Sequence, residues 1–138
     1  MTPIRQRVLA CYPEAARGRA ADEGLEVALY YLLSSVDAGV NFDGWTLFRV
    51  VRESAQAIEA VGLMSLLPGG AVPIAINVRE SSGGFEWRMR MGDLDASWHA
   101  LSSSKQWDRV YLYATGDAQS PPWAWGEERH GTIQMAPT

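Results

Sequence analysis

The hydrophobic period of this chain changes at Pro68-Gly69-Gly70, and that change limits the architectures open to it. Before the break apolar residues recur at helical spacing; after it they alternate. Leu25, Leu29, Leu32, Leu33 and Val36 form one helical stripe that begins at Asp22. Asp22 and Glu23 sit in the first turn, where the helix dipole favours negative charge, and Gly39 is the expected stop. A second helix is expected over 43–61, with Asp43 as its cap and Phe42 and Leu47 spaced as a hydrophobic staple. Leu47, Val50, Val51, Ser54, Ile58 and Val61 make its stripe, and Gly62 terminates it. Arg49, Arg52, Glu53, Gln56 and Glu59 take its opposite face. Residues 3–20 are read as one short helix, because Pro13 and Gly18 interrupt any longer element.

Past the break, Ile74, Ile76 and Val78 alternate with Ala75, Asn77 and Arg79. Ser81-Ser82-Gly83-Gly84 turns the chain, and Phe85, Trp87, Met89 and Met91 then alternate with Glu86, Arg88 and Arg90. This predicts a β-hairpin with one apolar and one polar face. Asp93 to Ser104 reads as a short helix with Trp98 and Leu101 inward, and Trp107 to Thr115 as a strand with Tyr111 and Tyr113 opposite Val110, Leu112 and Ala114. Two short final strands, 123–125 and 132–135, are joined by a turn from Gly126 to Gly131. Helices first and strands later predict an α+β fold, with N-terminal helices packed on a mostly antiparallel sheet formed by the C-terminal half. A length of 138 residues with 47% hydrophobic composition suits one domain over the whole chain.

Charge and cysteine usage exclude several function classes. The chain carries 16 acidic and 12 basic residues, and both halves are mildly acidic. Only the short run Arg88 to Arg90 offers clustered cations, so direct nucleic-acid binding is not expected. A single cysteine, Cys11, forms no internal disulfide and points to a reducing cytoplasm. The start Met1-Thr2-Pro3-Ile4-Arg5-Gln6-Arg7 is not followed by an apolar signal core, and Val27 to Leu33 is too short to span a bilayer.

Candidate chemistry is sparse. Asp95 and His99, four apart on the predicted short helix, suit a carboxylate–imidazole pair but also an ordinary surface pair, and Ser102-Ser103-Ser104 reads as a helix end rather than a nucleophile. Glu128 and His130, two apart, share a strand face but lack the third and fourth ligands of a stable metal site; a charged hairpin tip explains them. Asp93 and Asp95 lack the marked partner carboxylate of a glycosidase, and the glycine pairs lack the lysine of a phosphate loop. No cofactor, metal or catalytic residue is expected.

The aromatic content points to recognition instead. Trp87, Trp98, Trp107, Trp123 and Trp125 all lie after residue 86, with Phe85, Tyr111 and Tyr113 beside them. Large rings fill cores or anchor interfaces. Trp87 and Trp98 keep phase with buried neighbours. Tyr111, Tyr113, Trp123 and Trp125 are the expected anchors, rimmed by Asp117, Glu127 and Glu128, a combination suited to a basic protein surface such as a nuclease presents.

A small, acidic chain with one unpaired cysteine and tryptophan-rich stretches such as Trp107-Asp108-Arg109-Val110-Tyr111-Leu112-Tyr113 resembles the immunity proteins of bacterial polymorphic toxin and contact-dependent growth inhibition systems. The resemblance is to the class and rests on no diagnostic motif. It implies a cytoplasmic, non-enzymatic inhibitor that binds a cognate protein toxin and touches neither nucleic acid nor membrane. The alternative is a small-molecule-binding domain or small enzyme, with rings lining a deep pocket between helices and sheet and His99 or Asn77 as polar groups. An open final strand also allows a homodimer.

Overall fold

The architecture comes from a computed structural model, which describes residues 2–36, 45–65, 71–93, 96–115 and 124–134. Three helices, α1 (Ile4–Cys11), α2 (Pro13–Ala16) and α3 (Ala21–Val36), precede four strands, β1 (Trp45–Glu53), β2 (Ala57–Ser65), β3 (Ala71–Ser81) and β4 (Gly84–Asp93). Helices α4 (Ala96–His99) and α5 (Ser103–Thr115) follow, and β5 (Ala124–Gln134) closes the chain's regular structure. The strands form one sheet in the order β1-β2-β3-β4-β5, each antiparallel to its neighbour. The fold is α+β. Among the described residues no helix is long and apolar enough to cross a membrane.

Directly opposed residues in an antiparallel ladder share a face, so the register sorts every side chain. Ile58 and Ala60 of β2, Val72, Ile74, Ile76 and Val78 of β3, and Phe85, Trp87 and Met89 of β4 form the apolar first face. Ile4, Val8, Ala15, Leu25, Ala28, Leu29, Leu32 and Leu33 of α1–α3 cover it. The leucines of α3 recur three and four apart, so all four sit on one buried stripe, each contributing about 1.5–3 kcal/mol by burial. Charged groups fasten this layer at its border. Arg5 grips Glu53 with two bonds, Nε to Oε2 at 2.7 Å and a terminal nitrogen to Oε1 at 2.6 Å, and also reaches Asp22. Those carboxylates hold the Arg5 guanidinium more firmly ionised than usual. Arg7 pairs with Glu80 while its guanidinium lies 5.0 Å from the centre of the Phe85 ring.

The second face is covered over part of its width. Val61 and Leu63 meet Trp98 and Val110, with Val51, Ala75, Leu101 and Trp107 around them. Helix α5 therefore lies over β1–β3. Its buried residues Gln106 and Val110 are four apart, and the Gln106 side chain donates to the Trp98 carbonyl at 3.2 Å, fastening α5 to α4.

Several expectations change. Residues 45–65 form the β1–β2 hairpin rather than a helix. Ser54, expected on the helical stripe, makes the turn: its Oγ accepts the N–H groups of Gln56 and Ala57, and its own N–H donates to the Ala57 carbonyl at 2.8 Å. Long-range bonds hold that turn, from Ile4 N–H to the Ala55 carbonyl and from Glu80 N–H to the Gln56 carbonyl. Residues 107–115 are helix, not strand; Ser102 caps α5 by accepting the Lys105 N–H. The final segment is one continuous strand, and the expected turn at 126–131 is its middle. The first twenty residues hold two helices, α1 and α2, instead of one. The β3–β4 hairpin is as expected, with Gly83 taking the left-handed conformation its turn requires, at φ 78°. Gly39, the cap at Asp43 and the break at Pro68-Gly69-Gly70 lie outside the described residues.

Candidate functional site

Where α5 does not reach, the second face is polar. One row crosses all five strands in register: Arg52 opposite Glu59, Glu59 opposite Asn77, Asn77 opposite Arg88, and Arg88 opposite His130. A parallel row runs Ala57, Arg79, Glu86, Thr132. On the other side Arg49, Val61, Ala75, Arg90 and Glu128 align, and α5 covers the middle of that row. The strand alternation that buries Trp87 and Met89 on one face places Arg88 and Arg90 on the other.

The polar rows are cross-linked. Glu59 receives the Asn77 Nδ2 donor at 3.2 Å and stands 3.9 Å from Arg52. Glu128 lies between two arginines, 3.0 Å from Arg88 and 4.0 Å from Arg90. The Arg88 side chain is 62% exposed and that of Arg52 78% exposed, so these pairs contribute no more than about 0–1 kcal/mol each to stability. Their consequence is a pattern of alternating charge across the polar face. Arg79 and His130 are exposed on it. Arg79 has no ion-pair partner among the described residues. At the β1–β2 turn an open depression of about 430 Å³ is lined by Arg52, Glu53, Ser54, Ala57 and Glu59.

The structure brings only part of the predicted site together. Glu128 is on the polar face, exposed, but neutralised by Arg88 and Arg90. Trp125 and Glu127 belong to β5, with Trp125 opposite Gly92 past an irregularity in the ladder between Arg90 and Gly92. Tyr111 and Tyr113 belong to α5, a helix where a strand was expected. Asp117 and Trp123 lie outside the described residues. Glu128 and His130 do share a strand face, in the middle of β5 rather than at a hairpin tip. Among the described residues no three His, Cys, Asp or Glu side chains are grouped to hold a metal ion. His99 is exposed on α4, while its expected partner Asp95 lies outside the described residues.

Phe85, Trp87 and Trp98 are buried, and Trp107 is half-buried beside Val61 and Leu63. Among the rings whose burial is described, Tyr31 on α3 is exposed, 6.1 Å from Tyr12 and 5.5 Å from Tyr30. Reading from sequence passed over Arg52, Glu59 and Arg79 as site residues. The alternation of arginine with tryptophan and methionine at 87–90 was the available signal, because it places the cations opposite the core.

Compared with known proteins, the chain matches no family model, no curated protein and no solved structure.

Proposed function

We propose that this chain is a non-enzymatic immunity protein that neutralises a cognate bacterial toxin by protein–protein contact through the uncovered half of the second sheet face. The observation that carries the reading is the in-register row Arg52, Glu59, Asn77, Arg88, His130, which spans all five strands with Arg52, Arg88 and His130 exposed and Glu59 and Asn77 half-buried. A broad, preorganised polar surface matches another protein's surface over many contacts, whereas a small ligand needs a concave site that buries most of it. Between helices and sheet, where an aromatic-lined pocket was the alternative, Phe85, Trp87 and Met89 on one side and Trp98 on the other are buried in packed clusters. The 430 Å³ depression is open and charged, unlike a cofactor cleft. Trp125, on the strand that borders the face, is the proposed aromatic anchor.

Co-expression of the chain with the product of the neighbouring gene tests this. A stable complex and rescue of the neighbour's toxicity are expected. A toxic neighbour that forms no complex and kills equally well with the chain present refutes the reading.

A further inference from the structure

Charge is distributed unevenly over this chain. The register puts five of its 12 basic residues on the second face, Arg49, Arg52, Arg79, Arg88 and Arg90, with only three of its 16 acids, Glu59, Glu86 and Glu128. That face carries a formal +2 on a chain of net charge −4, leaving −6 for everything else. Glu128, one member of the acidic rim expected from sequence, is the minority charge between two arginines.

We infer that the polar sheet face docks an acid-rich protein surface, its arginines receiving carboxylates of the partner; this rests on the protein-binding reading above. Arginine presents a planar fork that matches a carboxylate with two parallel bonds. On this face Arg79 is exposed and has no ion pair among the described residues, and Arg88, in the adjacent row on β4, is largely exposed beside Glu128. The interleaved carboxylates favour protein over nucleic acid. Glu59, Glu86 and Glu128 stand within the arginine rows, where they repel a continuous phosphate backbone, while separate side-chain carboxylates dock between them. The rest of the molecule also selects orientation. A surplus of negative charge elsewhere repels an acidic partner, so long-range attraction brings it to this face alone.

The test is an amide chemical-shift titration of the intact chain with a short polyglutamate peptide, run beside polylysine and a short DNA duplex. Polyglutamate is expected to move the amides of Arg52, Asn77, Arg79, Arg88 and His130, and raised salt to abolish the effect. The double variant Arg79→Glu/Arg88→Glu should bind about tenfold more weakly or worse, and Arg79→Gln/Arg88→Gln by a smaller factor, both with unchanged fold by far-ultraviolet dichroism. The inference is overturned if polyglutamate leaves these amides unmoved, if polylysine or DNA moves them more, or if sedimentation shows that the face instead holds a second copy of the chain. The complex with the neighbouring gene product separates the two ideas. A complex equally tight with the double charge reversal defeats the acidic-partner inference and leaves the binding function standing; failure of the unmodified chain to form any complex defeats the function, and the polyglutamate result still decides the chemistry of the face.

Discussion

The ladder between β4 and β5 carries part of the polar face, and on its opposite side Trp87 packs closely against Gly131. The two residues are directly opposed, and the buried indole lies across the strand so closely that a Cβ added at 131 stands 3.0 Å from Nε1 and 3.1 Å from Cε2 and Cζ2. Trp87→Ala removes a buried ring and is expected to cost about 3–5 kcal/mol. Gly131→Val forces the indole out of place, an overpacking cost of about 1–3 kcal/mol, against a gain of about 1 kcal/mol from strand propensity. Once Trp87→Ala has been made, no ring opposes the valine. In that background Gly131→Val should be neutral or stabilising by about 0.5–1 kcal/mol, so the two sites couple by about 1–3 kcal/mol. Urea unfolding of the four proteins, followed by far-ultraviolet circular dichroism because Trp87 is itself a fluorophore, measures the cycle. If Gly131→Val costs the same in both backgrounds to within about 0.5 kcal/mol, the indole is not what requires glycine there.

Two further perturbations test the helical layer. Glu26 on α3 accepts the Val50 N–H at 3.2 Å, and burial pushes its carboxyl above the ordinary glutamate range despite that bond. A raised folded value means the ionised form is the costly one, so stability should fall as pH rises from the ordinary glutamate range through the raised value and then level off. Glu26→Gln keeps an acceptor for Val50 without the charge; it should be the more stable protein at neutral pH with a flatter profile, and a loss of stability there refutes the account. Glu53→Gln breaks the two-bond grip of Arg5 on the end of β1 and should cost about 1 kcal/mol in low salt, shrinking as salt rises. A thermal-unfolding difference unaffected by salt would mean that packing, not charge, holds α1 there.

The elements read correctly from sequence are those whose signal is local. Helix α3 needs only its own stripe of leucines, and the β3–β4 hairpin needs only alternation and a turn with glycine at its positive-φ position. The elements misread are those whose pattern fits two periods. Leu47, Val50, Val51, Ile58 and Val61 lie at helical spacing, yet they fold as strands because Ser54 closes a tight turn and α1 and β3 bond to it from far along the chain. Residues 107–115 alternate like a strand yet form a helix that covers Val61 and Leu63. Continuous pairing with β4 makes a strand interior of what looked like a turn at Gly126 to Gly131.

The sequence alone determined the class of the fold, the buried roles of Trp87 and Trp98, and which residues of 85–91 face away from the core. Burial follows from hydrophobic phase, and phase is written along the chain. Which charges become neighbours was decided only by tertiary structure. Arg52, Glu59, Asn77, Arg88 and His130 come from five different strands, and no spacing in sequence relates them; the hydrogen-bond register, set where each apolar set meets its helices, places them in one row. The same register put Glu128 between Arg88 and Arg90, so that this one acid of the expected rim lies on a mostly basic face.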